Sequence, residues 1–323
     1  MVQETGSTVE HLVGVIRASP GWTSKADISV VRDVFGPGDW RHGPGDDGAV
    51  VVMGGQQVVA CGEAILPAFV EADPYGAGIA AVLTNVNDVA AMGAIPGAVV
   101  NTLVGTPELC RAALEGMRFA SELYDVPVVG GHLTKSADRV ALSAFAVGHC
   151  PGPALSAANV AGGQRLGLIV CLDGTMRSDF PFFPSFDERG SQLAGDVRML
   201  AELAAAELVT AAKDVSMAGL FGSLAMLLEP TRSGVAVELT DVPVPAGVVL
   251  ERWLICFPCF AFLVTMPPSA EAGCRKVVET RGLTYAPLGV IDDSGLVTLT
   301  ADGATATIVD LSHEQVTFLR DER

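Results

Sequence analysis

Several acidic residues of this chain stand in glycine-rich or apolar segments, where a fold gains little from a charge. Gly45-Asp46-Asp47-Gly48 precedes an apolar run, Asp88 lies within the apolar stretch 82–93, and Lys213-Asp214-Val215-Ser216 precedes small residues. A buried acid is costly unless a positive group meets it. Because only 20 Lys and Arg accompany 37 Asp and Glu, divalent cations are the expected partners. Carboxylates beside glycine loops are typical of magnesium carrying a polyphosphate.

The stretch around Asp88 is predicted to be helical. Thr84 and Asp88 are four residues apart and share one helix face, with Asn85 beside it. A polar stripe on an apolar helix needs a partner, either a buried hydrogen-bond network or a metal ion, and the helix pattern leaves both open. Residues 45–48 offer two carboxylates and backbone N–H groups to a hydrated cation; the alternative is an ordinary Asp-Gly turn.

Two glycines after a buried strand suit a phosphate group. Gly130 and Gly131 allow the backbone to approach a phosphate, and Thr134 and Lys135 add donors. His132 is either a turn residue with satisfied hydrogen bonds or a participant in catalysis.

A second set of candidates lies downstream. Asp214 precedes a predicted helix and is interpreted as an N-cap, as a metal ligand, or as both. Arg177 and Arg189 lie around the aromatic segment 180–186, which either closes over a substrate or packs on the core.

The composition limits the partners. A formal charge of −17 and a pI near 4.6 argue against nucleic acid and anionic membranes. An anionic substrate therefore needs metal ions or a local basic pocket. Half of the residues are hydrophobic, which predicts a sizeable core. The most apolar run, 253–266, is shorter than a membrane span and contains a proline.

The N-terminus and the cysteines predict a cytoplasmic protein. The first residues lack the basic and long apolar regions of a signal peptide. The seven cysteines are scattered without the spacing of a disulfide framework, which predicts reduced thiols. Cys256 and Cys259 form a single CxxC motif with apolar flanks, and we interpret it as core strand rather than as a zinc or redox site.

The hydrophobic patterns predict two domains, at 1–155 and 156–323, joined by a linker of small residues at 151–163. The first has the order ββαβαββ, an α+β sheet domain with helices on one face. Its elements are expected as helices at 8–18 and 24–35, a hairpin over 49–61, a helix at 73–93, a strand at 97–104, a helix at 107–124, and strands at 126–129 and 140–148. The second is expected to have helices at 191–210, 216–228 and 270–281 and strands at 166–171, 235–239, 260–265 and within 284–309.

In this order, these segments resemble the aminoimidazole ribonucleotide synthetase superfamily, which includes thiamine-monophosphate kinase, selenophosphate synthetase and the hydrogenase-maturation carbamoyl dehydratase. The most specific segment is Asn-Asp-Val-Ala-Ala-Met-Gly at 87–93. The resemblance extends from about residue 40 to about residue 300. The matching segments are 45–50, 73–74, 87–96, 128–132 and 214–216.

The resemblance implies a fold and a site. It implies an α+β domain that pairs its sheet with a second subunit, closing a barrel across a homodimer, a C-terminal α/β domain, and an ATP site in the cleft between domains. ATP and Mg²⁺ are the implied cofactors. The implied magnesium ligands are Asp46, Asp47, Glu63, Asp88 and Asp214; the implied catalytic residues are Asp88, Asp214 and Lys135; the implied nucleotide-binding residues are Gly45, Asp46, Asp47, Gly48, Asn87, Gly130, Gly131 and His132.

The chain departs from the named activities at their acceptor motifs. Thiamine-monophosphate kinases usually have Asp after the hairpin strand, where this chain has Cys61-Gly62-Glu63, so Glu63 is expected to replace that ligand. The reactive Cys or selenocysteine and Lys of selenophosphate synthetases, and the C-terminal cysteine of the hydrogenase-maturation enzyme, have no counterpart. The chain thus resembles a synthetase-related branch that keeps the nucleotide half and has a changed acceptor half.

The function predicted from these residues is that of a magnesium-dependent, ATP-using enzyme. It would transfer the γ-phosphate to a small polar metabolite, or activate that metabolite by phosphorylation. Two alternatives stay open: a non-catalytic subunit that binds a nucleotide or metabolite within a larger assembly, and a divergent thiamine-monophosphate kinase.

Overall fold

A computed structural model describes residues 5–321. The helices are α1 Thr5–Ala18, α2 Pro20–Thr23, α3 Ser29–Phe35, α4 Pro67–Ala72, α5 Pro74–Ala91, α6 Pro107–Tyr124, α7 Phe186–Arg189, α8 Gln192–Ala205, α9 Gly219–Leu228, α10 Leu250–Leu254 and α11 Glu271–Thr280. The strands are β1 Ala49–Met53, β2 Gln56–Ile65, β3 Ile95–Gly105, β4 Val128–Lys135, β5 Ala141–His149, β6 Arg165–Val170, β7 Phe182–Phe183, β8 Ala211–Asp214, β9 Val235–Glu238, β10 Phe257–Pro258, β11 Ala261–Met266, β12 Thr284–Val290, β13 Leu296–Ala301 and β14 Ala304–Asp310.

The chain forms two compact units. The sheet unit comprises Asp47–Ala154 and Arg189–Ala205, and the core unit comprises the chain up to Asp46, Leu155–Glu188 and the chain from Ala206 onward. The predicted boundary near residue 155 lies beside one change of unit. The segment up to Asp46 and helix α8 belong to a different unit from the predicted one, because α1 packs on β13 and β14 while α8 packs on α5 and α6.

The sheet unit has a five-stranded sheet with the order β1-β2-β5-β3-β4. Its pairs are antiparallel except for β3 and β4, which are parallel and joined by α6. From β1 to β5 the element order matches the predicted ββαβαββ pattern, with the short helix α4 added before α5. Helix α5 packs against β2, β5 and β3, as expected of an α+β layer.

Two glycines allow α5 to pack closely against α6. A Cβ atom on Gly78 would lie 2.0 Å from the backbone oxygen of Ala113 in α6, and one on Gly116 would lie 2.0 Å from the backbone oxygen of Tyr75. The two helices therefore cross in direct backbone contact, which any larger side chain would prevent. The Asp73 carboxylate caps α5 by accepting from the Gly76 N–H at 2.8 Å, and Pro74 begins the helix.

The register of the strands defines two faces of this sheet. Residues paired across neighbouring strands share a face, so Ala144 and Asn101 lie on one face and Phe145 and Val100 on the other. The first pair is buried beneath the helices, whereas Phe145 is 46 % exposed. The second face is therefore open and largely apolar. Its exposed side chains include Val51, Met53, Ala60, Val100, Phe145 and Val147.

The core unit contains a four-stranded antiparallel sheet, β12-β6-β11-β8, and a three-stranded sheet, β14-β13-β9. Helix α9 follows β8 and packs against it. Apolar residues from α1, α9 and both sheets form one buried cluster that includes Leu12, Ile16, Leu168, Leu224, Leu263 and Leu299. No described helix is both long enough and apolar enough to cross a lipid bilayer.

Candidate functional site

Asp47 and Asp88 form the acidic centre of the sheet unit. Asp47 lies just before β1, Asp88 lies near the end of α5, and one carboxylate oxygen of each is within 4.8 Å of the other. Asp88 is buried, with 7 % of its surface exposed, and Asp47 is half-buried. Two carboxylates at this spacing supply the hard oxygen ligands that Mg²⁺ prefers. The donor set therefore fits the cation that the sequence predicts.

Thr84 and Asn85 fit the hydrogen-bond interpretation of the polar stripe on α5. The Thr84 hydroxyl donates to the Ala80 carbonyl at 2.9 Å, and the Asn85 amide donates to the Ala81 carbonyl at 2.9 Å. Both bonds stay within the helix, so these side chains serve the fold. Asn87, a predicted nucleotide contact, is buried.

Cys61 and Glu63 lie on β2, on the helix-covered face of the sheet. Burial raises the pKa of the Cys61 thiol well above its usual range, and the charges of Asp88, Glu63 and Asp47 raise that pKa further. The thiol is therefore protonated, and its Sγ lies 3.4 Å from the Oδ1 of Asn85. Asp88, Glu63 and Asp47 together make this part of the face a region of negative potential. Glu63 itself is exposed and lies outside the 4.8 Å group of Asp47 and Asp88.

The adjacent residues Asp46 and Asp47 have different surroundings. The Asp46 carboxylate accepts from the Ser156 hydroxyl at 2.7 Å and from the Ala157 N–H at 3.1 Å, so it fixes the turn at the start of the core unit's second segment. These contacts give Asp46 a structural role, and its predicted role as a ligand stays a prediction.

The flanking glycines have steric reasons to be glycine. A Cβ on Gly45 would lie 2.7 Å from the Trp40 ring, and Gly45 has a φ of 152°. A Cβ on Gly48 would lie 2.7 Å from the Val59 side chain. These positions hold the loop close to its neighbours, and their predicted nucleotide contacts stay predictions.

Strand β4 separates His132 and Lys135 from Gly131. Gly131 pairs with Asn101 on the helix-covered face, and a Cβ on it would lie 2.4 Å from the Asn101 carbonyl. His132 pairs with Thr102 on the open face, so the structure does not bring His132 and Asp88 together. Lys135 is four residues beyond Gly131, about 13 Å along the strand.

Asp214 ends β8 in the core unit. It is buried, with 3 % of its surface exposed, and its Oδ1 lies 3.8 Å from the Nζ of Lys213, which is also buried. Lys213 was not among the predicted site residues. A signal was present, because a lysine in the alanine-rich run Ala211-Ala212-Lys213 would not be expected in a buried strand without a function.

The remaining sequence candidates serve the fold. The Arg189 guanidinium makes a bidentate ion pair with Asp196 at 2.8 and 2.9 Å, and both side chains are buried. Phe183 is fully buried with its ring 5.3 Å from that of Trp253, so the aromatic segment packs on the core.

Arg177 pairs with Asp179 at the surface.

Cys256 and Cys259 are fully buried, and burial raises the pKa of Cys259 to about 12, which confirms the core interpretation of the CxxC motif.

Comparison with known proteins identifies the family. Residues 45–150 match the family described as AIR synthase related protein, N-terminal domain, and residues 173–302 match its C-terminal domain. The chain belongs to the AIR synthase-related family. The resemblance drawn from the acidic and glycine motifs is therefore confirmed. Both matches together cover most of the described chain.

The chain covers very different shares of two relatives. It is 29 % identical to the uncharacterized protein sll0787 of Synechocystis sp., over 84 % of the chain and 85 % of that protein. It is 27 % identical to the phosphoribosylformylglycinamidine synthase subunit PurL of Azorhizobium caulinodans, over 88 % of the chain but only 42 % of PurL. The first relative fits the predicted synthetase-related branch, and the chain spans less than half of the second.

The fold is shared with a solved member of the family. T. maritima PurL complexed with ADP superposes with a TM-score of 0.74 at 18 % identity, covering 94 % of this chain and 51 % of that one. At this identity the similarity concerns the fold.

Proposed function

We propose that the chain is a magnesium-dependent, ATP-using enzyme that phosphorylates a small polar metabolite or activates it by phosphorylation. The observation that carries the proposal is the Asp47–Asp88 carboxylate pair on the helix-covered face of the sheet unit. The ADP complex of a family member with the same fold supports the nucleotide. The formal charge of −17 supports the metal, because a polyphosphate needs cations to approach such a chain.

Each residue has a distinct task in this proposal. Asp47 and Asp88 supply carboxylate oxygens to the metal, and Asp214 of the core unit adds another ligand, as the family resemblance implies. Gly130 and Gly131 lie on an edge strand whose second edge pairs with no strand among residues 5–321, so their backbone can approach a phosphate. Lys135 supplies a mobile positive charge for the nucleotide. Mg²⁺, when bound, neutralises charge that develops on the transferred phosphoryl group.

The test is calorimetric titration of ATP into the protein with and without Mg²⁺. We expect ATP to bind much more tightly with Mg²⁺ than without it, because the acidic face repels free ATP. Absence of ATP binding at millimolar concentration in both conditions would remove the proposal. Release of ADP in the presence of a panel of amines, amides and phosphate monoesters then separates an enzyme from a non-catalytic subunit. Turnover of thiamine monophosphate would instead establish the kinase alternative.

We also propose a homodimer formed through the open face of the five-stranded sheet. Phe145 and Val147 are 46 % and 48 % exposed on adjacent outward positions of β5, and Val100 beside them is 40 % exposed. Contiguous apolar surface of this kind marks an interaction site, and the family resemblance supplies a second copy as its occupant. A cytoplasmic location stays a prediction from the reduced cysteines.

The dimer is tested by sedimentation of Val147→Glu. A charge on this face cannot be buried against a second copy without a large desolvation cost, so we expect a monomer. Val290→Glu is the matched control, because Val290 is 43 % exposed and belongs to the core unit rather than to this sheet. A dimer that survives Val147→Glu would place the interface elsewhere.

A further inference from the structure

Lys213 is the buried lysine of the described chain. It is 7 % exposed, whereas the other described lysines, Lys25, Lys135 and Lys276, are partly or fully exposed. Its register partner on β11 is Leu263, which pairs in turn with Leu168 on β6. Residues paired in this way share a face, and both leucines belong to the main apolar cluster of the core unit. The stem of Lys213 therefore starts on the core-facing side of the sheet.

A charge in this position does not serve stability. A buried ammonium loses its hydration, and an ion pair seldom repays that loss compared with an apolar pair of similar volume. Such lysines are retained where a positive charge has a task. The position therefore points to a function for the ammonium rather than to packing.

The geometry of the Lys213–Asp214 pair differs from that of a structural ion pair. Arg189 and Asp196, also buried, meet through two hydrogen bonds of 2.8 and 2.9 Å. The Lys213 Nζ stands 3.8 Å from the Asp214 Oδ1, beyond hydrogen-bond distance. The ammonium thus compensates the carboxylate electrostatically without engaging that oxygen in a short hydrogen bond.

We propose that Lys213 is a resident counter-charge for Asp214 that makes metal binding depend on the nucleotide. The inference rests on the proposed function, because it takes Asp214 as a metal ligand. Without nucleotide, the ammonium compensates Asp214 and repels a divalent cation. When a nucleotide is present, its phosphate oxygens accept from the ammonium, as lysine commonly donates to phosphate. Asp214 is then available to the cation.

The experiment titrates Mn²⁺ alone, followed by electron paramagnetic resonance, and separately titrates ATP without divalent cations. The variants are Lys213→Met and Lys213→Arg, with Lys276→Met as the control at an exposed lysine. For Lys213→Met we expect Mn²⁺ to bind about tenfold more tightly and metal-free ATP about tenfold more weakly. Lys213→Arg, which keeps the charge, and Lys276→Met are expected to bind Mn²⁺ like the wild type.

The outcomes separate this inference from the proposed function. If the wild type binds Mn²⁺ and metal-free ATP but Lys213→Met leaves both of these affinities unchanged, the counter-charge role is wrong and the proposed function stands. If the wild type binds neither Mn²⁺ nor ATP, both are overturned. Lys213→Gln is the second neutral variant, and its Mn²⁺ affinity decides the question if Lys213→Met does not fold.

Discussion

In the sheet unit, Asp47 and Asp88 stand with carboxylate oxygens within 4.8 Å of each other, while in the core unit Asp214 stands 3.8 Å from the ammonium of Lys213. The first arrangement brings like charges together, and Glu63 adds to the same negative region. The second provides a compensating charge from the neighbouring residue. Removing one carboxylate should therefore relieve repulsion in the sheet unit and weaken the compensation of a buried charge in the core unit. Loss of a carboxylate is therefore expected to change stability in opposite directions in the two units.

The largest effect is expected from Asp214→Asn. The substitution leaves the Lys213 ammonium buried beside a neutral amide, and breaking a buried pair in this way costs about 3–5 kcal/mol of stability. The double variant Lys213→Met/Asp214→Asn should recover most of that loss, because the buried ammonium is removed as well. Urea unfolding of the wild type, Lys213→Met, Asp214→Asn and the double variant measures the coupling. An unfolding free energy of Asp214→Asn within about 1 kcal/mol of the wild type would contradict the compensating role of Lys213.

Asp88→Asn should retain the stability of the metal-free protein and lose the added stability that Mg-ATP provides. The metal-free variant is expected to unfold at an equal or slightly higher temperature than the wild type, because a like-charge repulsion is removed. The wild type gains about 2.7 kcal/mol from Mg-ATP at one hundred times its dissociation constant, and the variant should lose that gain.

Thermal unfolding with and without Mg-ATP measures both quantities, with Glu71→Gln as the control at an exposed acid of the same unit. An unchanged Mg-ATP response would reassign Asp88 to packing.

Asp46 and Asp47 are adjacent in one loop, and their substitutions are expected to have different effects. Asp46→Asn weakens the bonds to Ser156 and Ala157 and should lower stability by about 0.5–2 kcal/mol with Mn²⁺ affinity retained. Asp47→Asn should retain stability and lower the Mn²⁺ affinity. Chemical denaturation and Mn²⁺ titration of both variants provide the readouts. Equal loss of Mn²⁺ affinity in the two variants would restore Asp46 as a ligand.

The smallest effect is expected from Glu229, a third kind of buried acid. Its carboxylate accepts from the Val316 N–H and from the N–H and hydroxyl of Thr317. Burial raises its pKa above 4.5, an effect that these hydrogen bonds reduce. Because the folded-state pKa is raised, its contribution to stability is fully present below pH 4.5 and is lost as pH rises through the folded pKa.

Glu229→Gln removes this titration. The difference in unfolding free energy between wild type and variant should therefore change over that window and be flat above it. A difference that is constant from pH 4 to pH 7 would contradict the raised pKa.

Part of the molecule could be predicted from its sequence because local patterns decide it. Two apolar runs on either side of Gly54-Gly55 predicted the hairpin of β1 and β2. The close packing of α5 on α6 depends on Gly78 and Gly116. The order of the acidic motifs predicted the family. The meeting of Asp47 and Asp88 followed from that resemblance, since neither motif alone distinguished a ligand from a turn residue.

Other features depend on tertiary contacts that no local pattern encodes. Asp46 and Asp47 are chemically identical neighbours, and the hydrogen bonds from Ser156 and Ala157 to Asp46 form only in the folded chain. His132 and Gly131 differ by one strand position, which moves them to opposite faces of the sheet. Lys213 was read together with Asp214 as part of a motif, and its burial on the core-facing side of β8 appears only in the folded chain.

The division of the core unit into separate chain segments has a consequence for synthesis. Helix α1 packs on β13 and β14, which leave the ribosome more than two hundred residues later. All of the sheet unit has been synthesised once α8 emerges from the ribosome, so this unit can fold before β13 and β14 are available to α1. During that interval the apolar face of α1, with Leu12 and Ile16, is uncovered and is a natural binding site for a chaperone.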